Sequence, residues 1–369
     1  MKVQFNRAAL ADALSMITAV VPSRTPKPIL RCLRLFASGQ EVHVSATDLE
    51  VGLTILVSGA TVEREGDAVL DADRLARIVR ESGDEVLVLD CSDEVCEITG
   101  QDSRFTIFTQ KAEVYPAIPG YEGEADLEIP LDELQTATRQ VVFATAKESS
   151  RYAINGVLWE VKGKKMSLVA TDGRRLARSR VSLVSQAKPE VAKQRLIVPA
   201  KTMGLLERIG SGDEDEVVCA RLAGNQLILR CSHVVISSNL VEGSFPKYED
   251  IIPGDYETKL TLNTEVVLSA VRRASLLVSE DSKGIKVTIR PEGMVFSARA
   301  PETGAAEIQM PVAYTGAPIA IGFNPQFLSD ALRVLQTPEF ELQLGQPDRP
   351  GVIKGEPDFL YVLMPINLG

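Results

Sequence analysis

The sequence predicts an α+β protein of three tandem domains, each an antiparallel sheet carrying two helices. Three observations lead there. Two kinds of helix-like segment alternate along the 369 residues, each kind occurs three times, and corresponding starts recur about every 125–130 residues. That interval is far too long for a solenoid unit and suits a domain. Between the helices lie short alternating runs rich in Val, Ile, Leu and Thr, with turn signals too closely spaced for parallel crossovers.

The first kind of helix reads NRAALADALSMITAVV from Asn6, PLDELQTATRQVVFATA from Pro130 and NTEVVLSAVRRASLLV from Asn263. Each starts on a polar residue or proline and continues with apolar residues three and four apart. The second kind reads DADRLARIVRES from Asp71, PAKTMGLLERIG from Pro199 and NPQFLSDALRVLQ from Asn324. Strands are expected at EVHVSAT, VGLTILVSG, EVLVLDC, LILRCSHVVISSNL and KVTIRPEGMVFSA, with turns at Ser38-Gly39, Lys162-Gly163 and Pro291-Glu292-Gly293. The Pro/Gly-rich segments VYPAIPGYEGEADLEIP and FPKYEDIIPGDYETKLT place boundaries that give domains 1–123, 124–254 and 255–369.

Composition narrows the chemistry. A chain that is 45% hydrophobic and 24% charged is globular, not disordered, collagenous or a coiled-coil rod. No apolar run approaches the roughly 20 residues of a membrane span, and MKVQFNRAAL lacks a secretory core, so no membrane partner is expected and the expected location is the cytoplasm. Five cysteines, Cys32, Cys91, Cys96, Cys219 and Cys231, make an odd count for which reduced thiols are the simpler reading. The net charge of −10 opposes nonspecific binding of nucleic acid over the whole surface while leaving a local basic lining open.

Catalytic material is scarce. The two histidines, His43 and His233, both sit in strand patterns, which leaves little for a His-based triad or a two-His metal site. The motifs GxxxxGK[ST], HExxH, GxSxG and a paired CxxC framework are missing, and Cys91 with Cys96 is a weak metal signal. Asp48, Glu50, Asp102 and Asp172 form no catalytic spacing. ATDLE at Ala46 and ATDGR at Ala170 occupy equivalent places in two repeats, as a strand-ending turn would. The expectation is a protein that is not an enzyme and has no catalytic residue, metal or cofactor.

Four segments carry a family resemblance by their order and spacing: RYAINGVLWE at 151–160, ATDGRRLA at 170–177, FPKYEDIIP at 245–253 and the terminal YVLMPINLG. With them the chain resembles the β subunit of bacterial DNA polymerase III, the sliding-clamp family, from end to end. The resemblance implies a head-to-tail homodimeric ring of six similar domains that encircles duplex DNA without regard to sequence and tethers the replicative polymerase. Such a processivity factor is noncatalytic, is loaded by an ATP-driven partner and works at the nucleoid. Geometry agrees with two copies. Six helices about 10 Å apart would line a circle leaving about 9 Å clear, whereas twelve leave about 28 Å, enough for a duplex about 20 Å wide.

Arg74, Arg77 and Arg80 recur at three-residue intervals, and the other helices supply Arg7, Arg139, Lys147, Lys201, Arg208, Arg272, Arg273 and Arg333. They read as a diffuse basic lining that meets phosphates through water and permits sliding. The resemblance adds Arg24, in PSRTPKP, and the loop residues Arg151 and Tyr152 as DNA contacts; Glu148 and Ala153 depart from the family pattern there.

By the same resemblance, a pocket for short peptide motifs of polymerases, clamp loaders and repair proteins comprises Ile154, Thr171, Gly173, Arg174, Arg175, Leu176, Pro246 and Ile251. The tail contributes Val362, Met364, Pro365, Ile366 and Leu368. Aliphatic and methionine side chains there suit Leu or Phe anchors. Arg174 stands where many relatives have histidine, and Asn367 where some have a basic residue. Phe105 and Ile107 in RFTIFT, with Leu276 and Leu277, match family dimer-interface positions, and an apolar strand edge there calls for a covering subunit.

Overall fold

Side chains at strand ends start most of the helices. In the computed structural model, which describes all residues except 148–151, 211–215, 255, 257, 279–283, 301–303 and 368–369, four helices open on a side-chain cap. Asn6 accepts from the amide of Ala9, Asp71 from Arg74, Asn263 from Val266 and Asn324 from Gln326. Each cap satisfies an amide that the first turn leaves without a helical acceptor.

The elements repeat in one order. The first third runs β1 (Lys2–Asn6), α1 (Arg7–Val20), β2 (Cys32–Ser38), β3 (Glu41–Thr47), β4 (Val51–Leu56), β5 (Ala60–Arg64), β6 (Gly66–Asp71), α2 (Ala72–Glu81), β7 (Val86–Cys91), β8 (Val95–Thr99) and β9 (Arg104–Gln110). The second runs β10 (Leu127–Pro130), α3 (Leu131–Val141), β11 (Gly156–Lys162), β12 (Lys165–Thr171), β13 (Arg175–Ser182), the short α4 (Pro189–Ala192), β14 (Arg195–Pro199), α5 (Ala200–Leu206), β15 (Val217–Ala223), β16 (Gln226–Cys231) and β17 (Val234–Asn239). The third runs β18 (Thr258–Asn263), α6 (Thr264–Ser275), β19 (Ile285–Arg290), β20 (Gly293–Ala300), β21 (Gly304–Met310), β22 (Ile319–Phe323), α7 (Pro325–Arg333), β23 (Glu339–Leu344), β24 (Gly351–Gly355) and β25 (Phe359–Leu363). Setting aside β5 and α4, every third is strand, helix, four strands, helix, three strands. The six helices expected from the sequence are present, and α5 is shorter than its apolar pattern predicts.

By packing, residues 1–132, 183–193 and 201–240 form one unit, and 133–182, 194–200 and 241–369 form another. The first unit holds an antiparallel sheet ordered β10-β15-β16-β17-β4-β3-β2-β6-β9-β8-β7-β1-β5. Its core includes one face of α1, with Leu10, Leu14, Ile17 and Val20 buried, and α1 contacts α2, which buries Leu75 and Val79. The second unit holds β14-β11-β12-β13-β25-β24-β23-β18 and a four-stranded sheet β21-β20-β19-β22, with α6 packed on α7 through an apolar stripe that includes Val267, Val271 and Leu328.

Each unit contains the same kind of joint. In the first, β4 pairs antiparallel with β17, the last strand of the following repeat, from Val51 opposite Ser238 to Ile55 opposite Val234. In the second, β13 pairs with β25 from Arg175 opposite Leu363 to Arg178 opposite Leu360.

One expectation is corrected. Cys91 and Cys96 are direct cross-strand partners on β7 and β8 and form a disulfide. A sequence separation of five gave no sign that the strands set these two positions opposite each other. Cys32, Cys219 and Cys231 are free.

Candidate functional site

Turns with the same wiring enter β4 and β13. In the first, Thr47 Oγ1 donates to the carbonyl of Val51 and accepts from Leu49, while Asp48 Oδ1 accepts from Glu50 and Val51. In the second, Thr171 Oγ1 donates to the carbonyl of Arg175 and accepts from Gly173, while Asp172 Oδ1 accepts from Arg174 and Arg175. The third residue of each turn is left-handed, Leu49 at φ 80° and Gly173 at φ 83°. The Thr-Asp pair therefore shapes backbone, as the sequence suggested, and its acids belong to turns.

The second turn meets the carboxyl-terminal tail. The amide of Met364 donates to the carbonyl of Arg174 at 3.0 Å, just beyond the β13–β25 pairing. Beneath lies an apolar cluster that joins Ile154, Leu176 and Val362 to Leu158, Val169, Phe245, Tyr248 and Leu360. Thr171, Leu176 and Val362 are fully covered and form the floor, whereas Ile251 and Met364 are each 39% exposed. Arg174 is exposed and Pro246 half-buried. Among the expected residues, the structure brings Ile154, Leu176 and Val362 into one cluster and sets Met364 on the turn of Gly173 and Arg174.

One expectation for this pocket changes. Arg175 offers no free guanidinium. It donates to Asp172 at 3.0 Å, Asp330 at 2.8 Å and the carbonyl of Phe143 at 2.7 Å, stacks on the Phe327 ring and is 10% exposed. Burial works against its charge, but the bonds to Asp330 and its neighbours outweigh burial and leave its pKa raised. Pro365 and Ile366 continue the tail past Met364. The amide of Ile366 donates to Gly322 on β22, and both residues line a concavity of about 1030 Å³ with Lys286, Arg299 and Asp348. Leu368 lies outside the described residues.

Sequence reasoning missed Phe245, Tyr248 and Leu158 as partners of the pocket floor. Strand alternation carried the signal, because Leu158 and Leu176 occupy same-face positions on β11 and β13 through Val169 between them.

Of the expected DNA contacts, Arg24, Arg74, Arg77, Arg80, Lys147 and Tyr152 are exposed, and Arg77 is paired with Asp73 at 2.8 Å. Arg151, like Glu148, lies outside the described residues. Lys201 corrects the picture of a free cation. Its ammonium lies 2.5 Å from Asp48 Oδ2 and 2.8 Å from the carbonyl of Val20, because the turn uses only the other oxygen of Asp48.

At the expected interface positions, Phe105 is 40% and Leu276 is 79% exposed, Leu277 is half-buried and Ile107 is buried. Phe108, which the sequence reading passed over, is 73% exposed and lines a hollow of about 290 Å³ with Pro28, Ile29 and Ile107. From Arg104 to Phe108, β9 pairs with β8 alone, and β6 joins only at Thr109 and Gln110. β21 likewise has β20 as its only strand neighbour among the described residues. Among the described residues no group of three or more His, Cys, Asp or Glu is gathered to hold a metal, and no helix is long and apolar enough to cross a membrane.

Comparison with known proteins covers the whole chain. Family models described as the N-terminal, central and C-terminal domains of the DNA polymerase III beta subunit match residues 1–119, 128–247 and 249–367. The chain is 30% identical to the beta sliding clamp of Vibrio cholerae over 100% of both chains, and 28% identical to that of Chlamydia pneumoniae over 100% of this chain and 99% of the other. Among solved structures, a DNA polymerase sliding clamp from Bacillus subtilis superposes with TM-score 0.91 at 26% identity, covering 100% of this chain and 99% of that one. A sliding clamp from Pseudomonas aeruginosa bound to griselimycin superposes with TM-score 0.90 at 27% identity, covering both chains fully.

Proposed function

The chain belongs to the DNA polymerase III β-subunit family of sliding clamps, and on that premise we propose that two copies close head to tail into a ring around duplex DNA. It is a polymerase processivity clamp of three tandem clamp domains, and it is not itself an enzyme.

One pattern supports the ring. The strand that ends the first three-strand run of a domain pairs with the last strand of the next domain: β4 with β17, and β13 with β25. The third set of equivalents is β21 and β9, and among the described residues β21 keeps one strand edge open and β9 does so from Arg104 to Phe108. Pairing β21 of one copy with β9 of another repeats the internal joint, with Phe105, Ile107 and Phe108 facing Leu276 and Leu277. Apolar edges of this kind invite association, and a closed ring leaves none over. The proposed domain limits are 1–123, 124–254 and 255–369.

Duplex DNA then passes through a lining that includes Arg24, Arg74, Arg77, Arg80, Lys147, Arg151 and Tyr152, while Lys201 chiefly holds the first turn. Phosphates set the affinity, which makes retention salt-dependent and indifferent to sequence. The groove over Ile154, Leu176 and Val362, edged by Arg174, Pro246, Ile251 and Met364, takes apolar anchors from polymerase, clamp-loader and repair peptides. The protein works in the cytoplasm at the nucleoid. Loading onto nicked circular DNA tests the ring: retained protein should leave when the circle is cut, and equal retention on linear and circular DNA refutes encirclement.

A further inference from the structure

The disulfide lies in register with the open edge of β9. Direct cross-strand partners share a face, and one row across the sheet runs Cys91 on β7, Cys96 on β8 and Ile107 on β9. From Arg104 to Phe108, β8 is the only strand that pairs with β9 among the described residues, so β8 alone sets where Phe105, Ile107 and Phe108 stand. A covalent bond to Cys96 is therefore a bond to the strand that carries the edge.

The two ends of that bond are held unequally. Cys91 donates its amide to the carbonyl of Met1 at 2.8 Å and accepts from the Met1 amine at 3.0 Å, so the start of the chain clasps it on the side away from β8. Cys96 has only β8 and the edge strand β9 beyond it. Bonded sulfurs sit closer than two thiols can approach, so opening the bond pushes one strand from the other. With Cys91 clasped, the displacement falls on Cys96, β8 and the edge of β9. Both cysteines are buried, but they adjoin the exposed turn Ser92, Asp93 and Glu94. Parting this end of the hairpin, a local event short of unfolding, brings the sulfurs to solvent.

On the ring reading given above, we propose that Cys91 and Cys96 are a reversible redox switch on ring closure: joined, they hold β9 in its pairing shape, and as two thiols they loosen it and weaken the seam. Disulfides are rare in the cytoplasm proposed for this chain, and those that form there are mostly transient or redox-sensing. In the oxidising direction, the thiolate of one cysteine attacks a low-molecular-weight disulfide such as glutathione disulfide, forming a mixed disulfide and releasing one glutathione thiolate. The second cysteine then attacks the protein sulfur of the mixed disulfide and releases the other. The protein pair gives up two protons and two electrons, and the small disulfide takes them up as two thiols. Reduction is the same sequence reversed.

The test uses the full chain in buffers of glutathione and glutathione disulfide, with the state of Cys91 and Cys96 read by thiol alkylation and mass spectrometry. Sedimentation then gives the dimer dissociation constant of each form. Reduction of wild type should raise that constant about tenfold. Cys91→Ala/Cys96→Ala and Cys96→Ser should each give one value in both buffers, close to that of the reduced wild type, while Cys32→Ala should keep the full difference. Equal constants for the oxidised and reduced wild type overturn the proposal without recourse to any variant. A redox dependence that survives in both Cys96 variants assigns the effect to another thiol and overturns it too, as does a folded chain in which the pair stays reduced in excess glutathione disulfide. Phe108→Asp separates this proposal from the seam on which it rests. If that variant leaves the dimer intact, the seam itself is misplaced; if it gives monomers and the two wild-type forms associate equally, only the switch falls.

Discussion

Arg175 reaches Asp330 across 2.8 Å, and with that contact the turn that starts β13 is fixed to helix α7. Asp172 holds the same guanidinium from the other side, and the Phe327 ring lies 4.2 Å beneath it. The arginine that family resemblance places in the peptide pocket is the pin of the joint under that pocket. Arg175→Ala removes the cation shared by two largely buried carboxylates, Asp172 and Asp330, and should cost roughly 3 kcal/mol of stability in urea unfolding. A loss near zero would show that the triad contributes little.

The paired turns make a second prediction. A Cβ added at Gly173 meets nothing within 4 Å, so the only penalty is the left-handed backbone. Gly173→Leu should fold and lose about 1–2 kcal/mol, because Leu49 already holds this conformation in the equivalent turn. Failure to fold would mean that the two turns differ in ways their hydrogen bonds do not reveal.

The dimer edge predicts a third outcome. Phe108→Asp and Leu276→Asp each place a charge at an exposed apolar side chain that borders the proposed seam. Both should give monomers by light scattering, with unfolding of the separated chain close to that of wild type. Persistent dimers in both variants would locate the interface elsewhere.

Among the basic residues, Arg74→Ala and Arg80→Ala should each weaken duplex retention and lower the slope of log affinity on log salt by about 0.9 or less per residue. Lys201→Ala should leave that slope nearly unchanged and lower Tm instead, since its ammonium is already held by Asp48 and Val20. A large salt-slope change for Lys201→Ala would reverse this assignment.

Glu160 predicts the acid behaviour of the second unit. Burial alone would raise its carboxyl, but hydrogen bonds from Tyr248 and Lys162, with Arg195 nearby, win and hold it below its ordinary value of 4.5. The unfolded chain therefore takes up this proton first. The stabilisation is complete above pH 4.5 and disappears as pH falls through the lowered folded value. Glu160→Gln should flatten the dependence of Tm on pH below 4.5, and an unchanged acid limb would contradict the pairing.

How much was legible in advance depended on whether a signal was local. Asn6, Asp71, Asn263 and Asn324 announced their helices because a cap needs only a residue and its own next turn. The Thr-Asp turns were legible for the same reason. The fates of Arg175 and Lys201 were not, since Asp330 is 155 residues from one and Asp48 is 153 from the other. The opposition of Cys91 to Cys96 depended on strand register, which the hairpin's five-residue spacing did not disclose. Phe108 escaped because the family resemblance points only to Phe105 and Ile107 on this strand, whereas the observed strand buries Ile107 and exposes Phe108.

The β4–β17 and β13–β25 joints lie within one polypeptide, so each half keeps its mate nearby at every dilution. A β21–β9 seam between two molecules has no such tether. In the proposed two-copy annulus four seams are permanent and two answer to concentration, so whatever parts the circle need strain only the untethered pair.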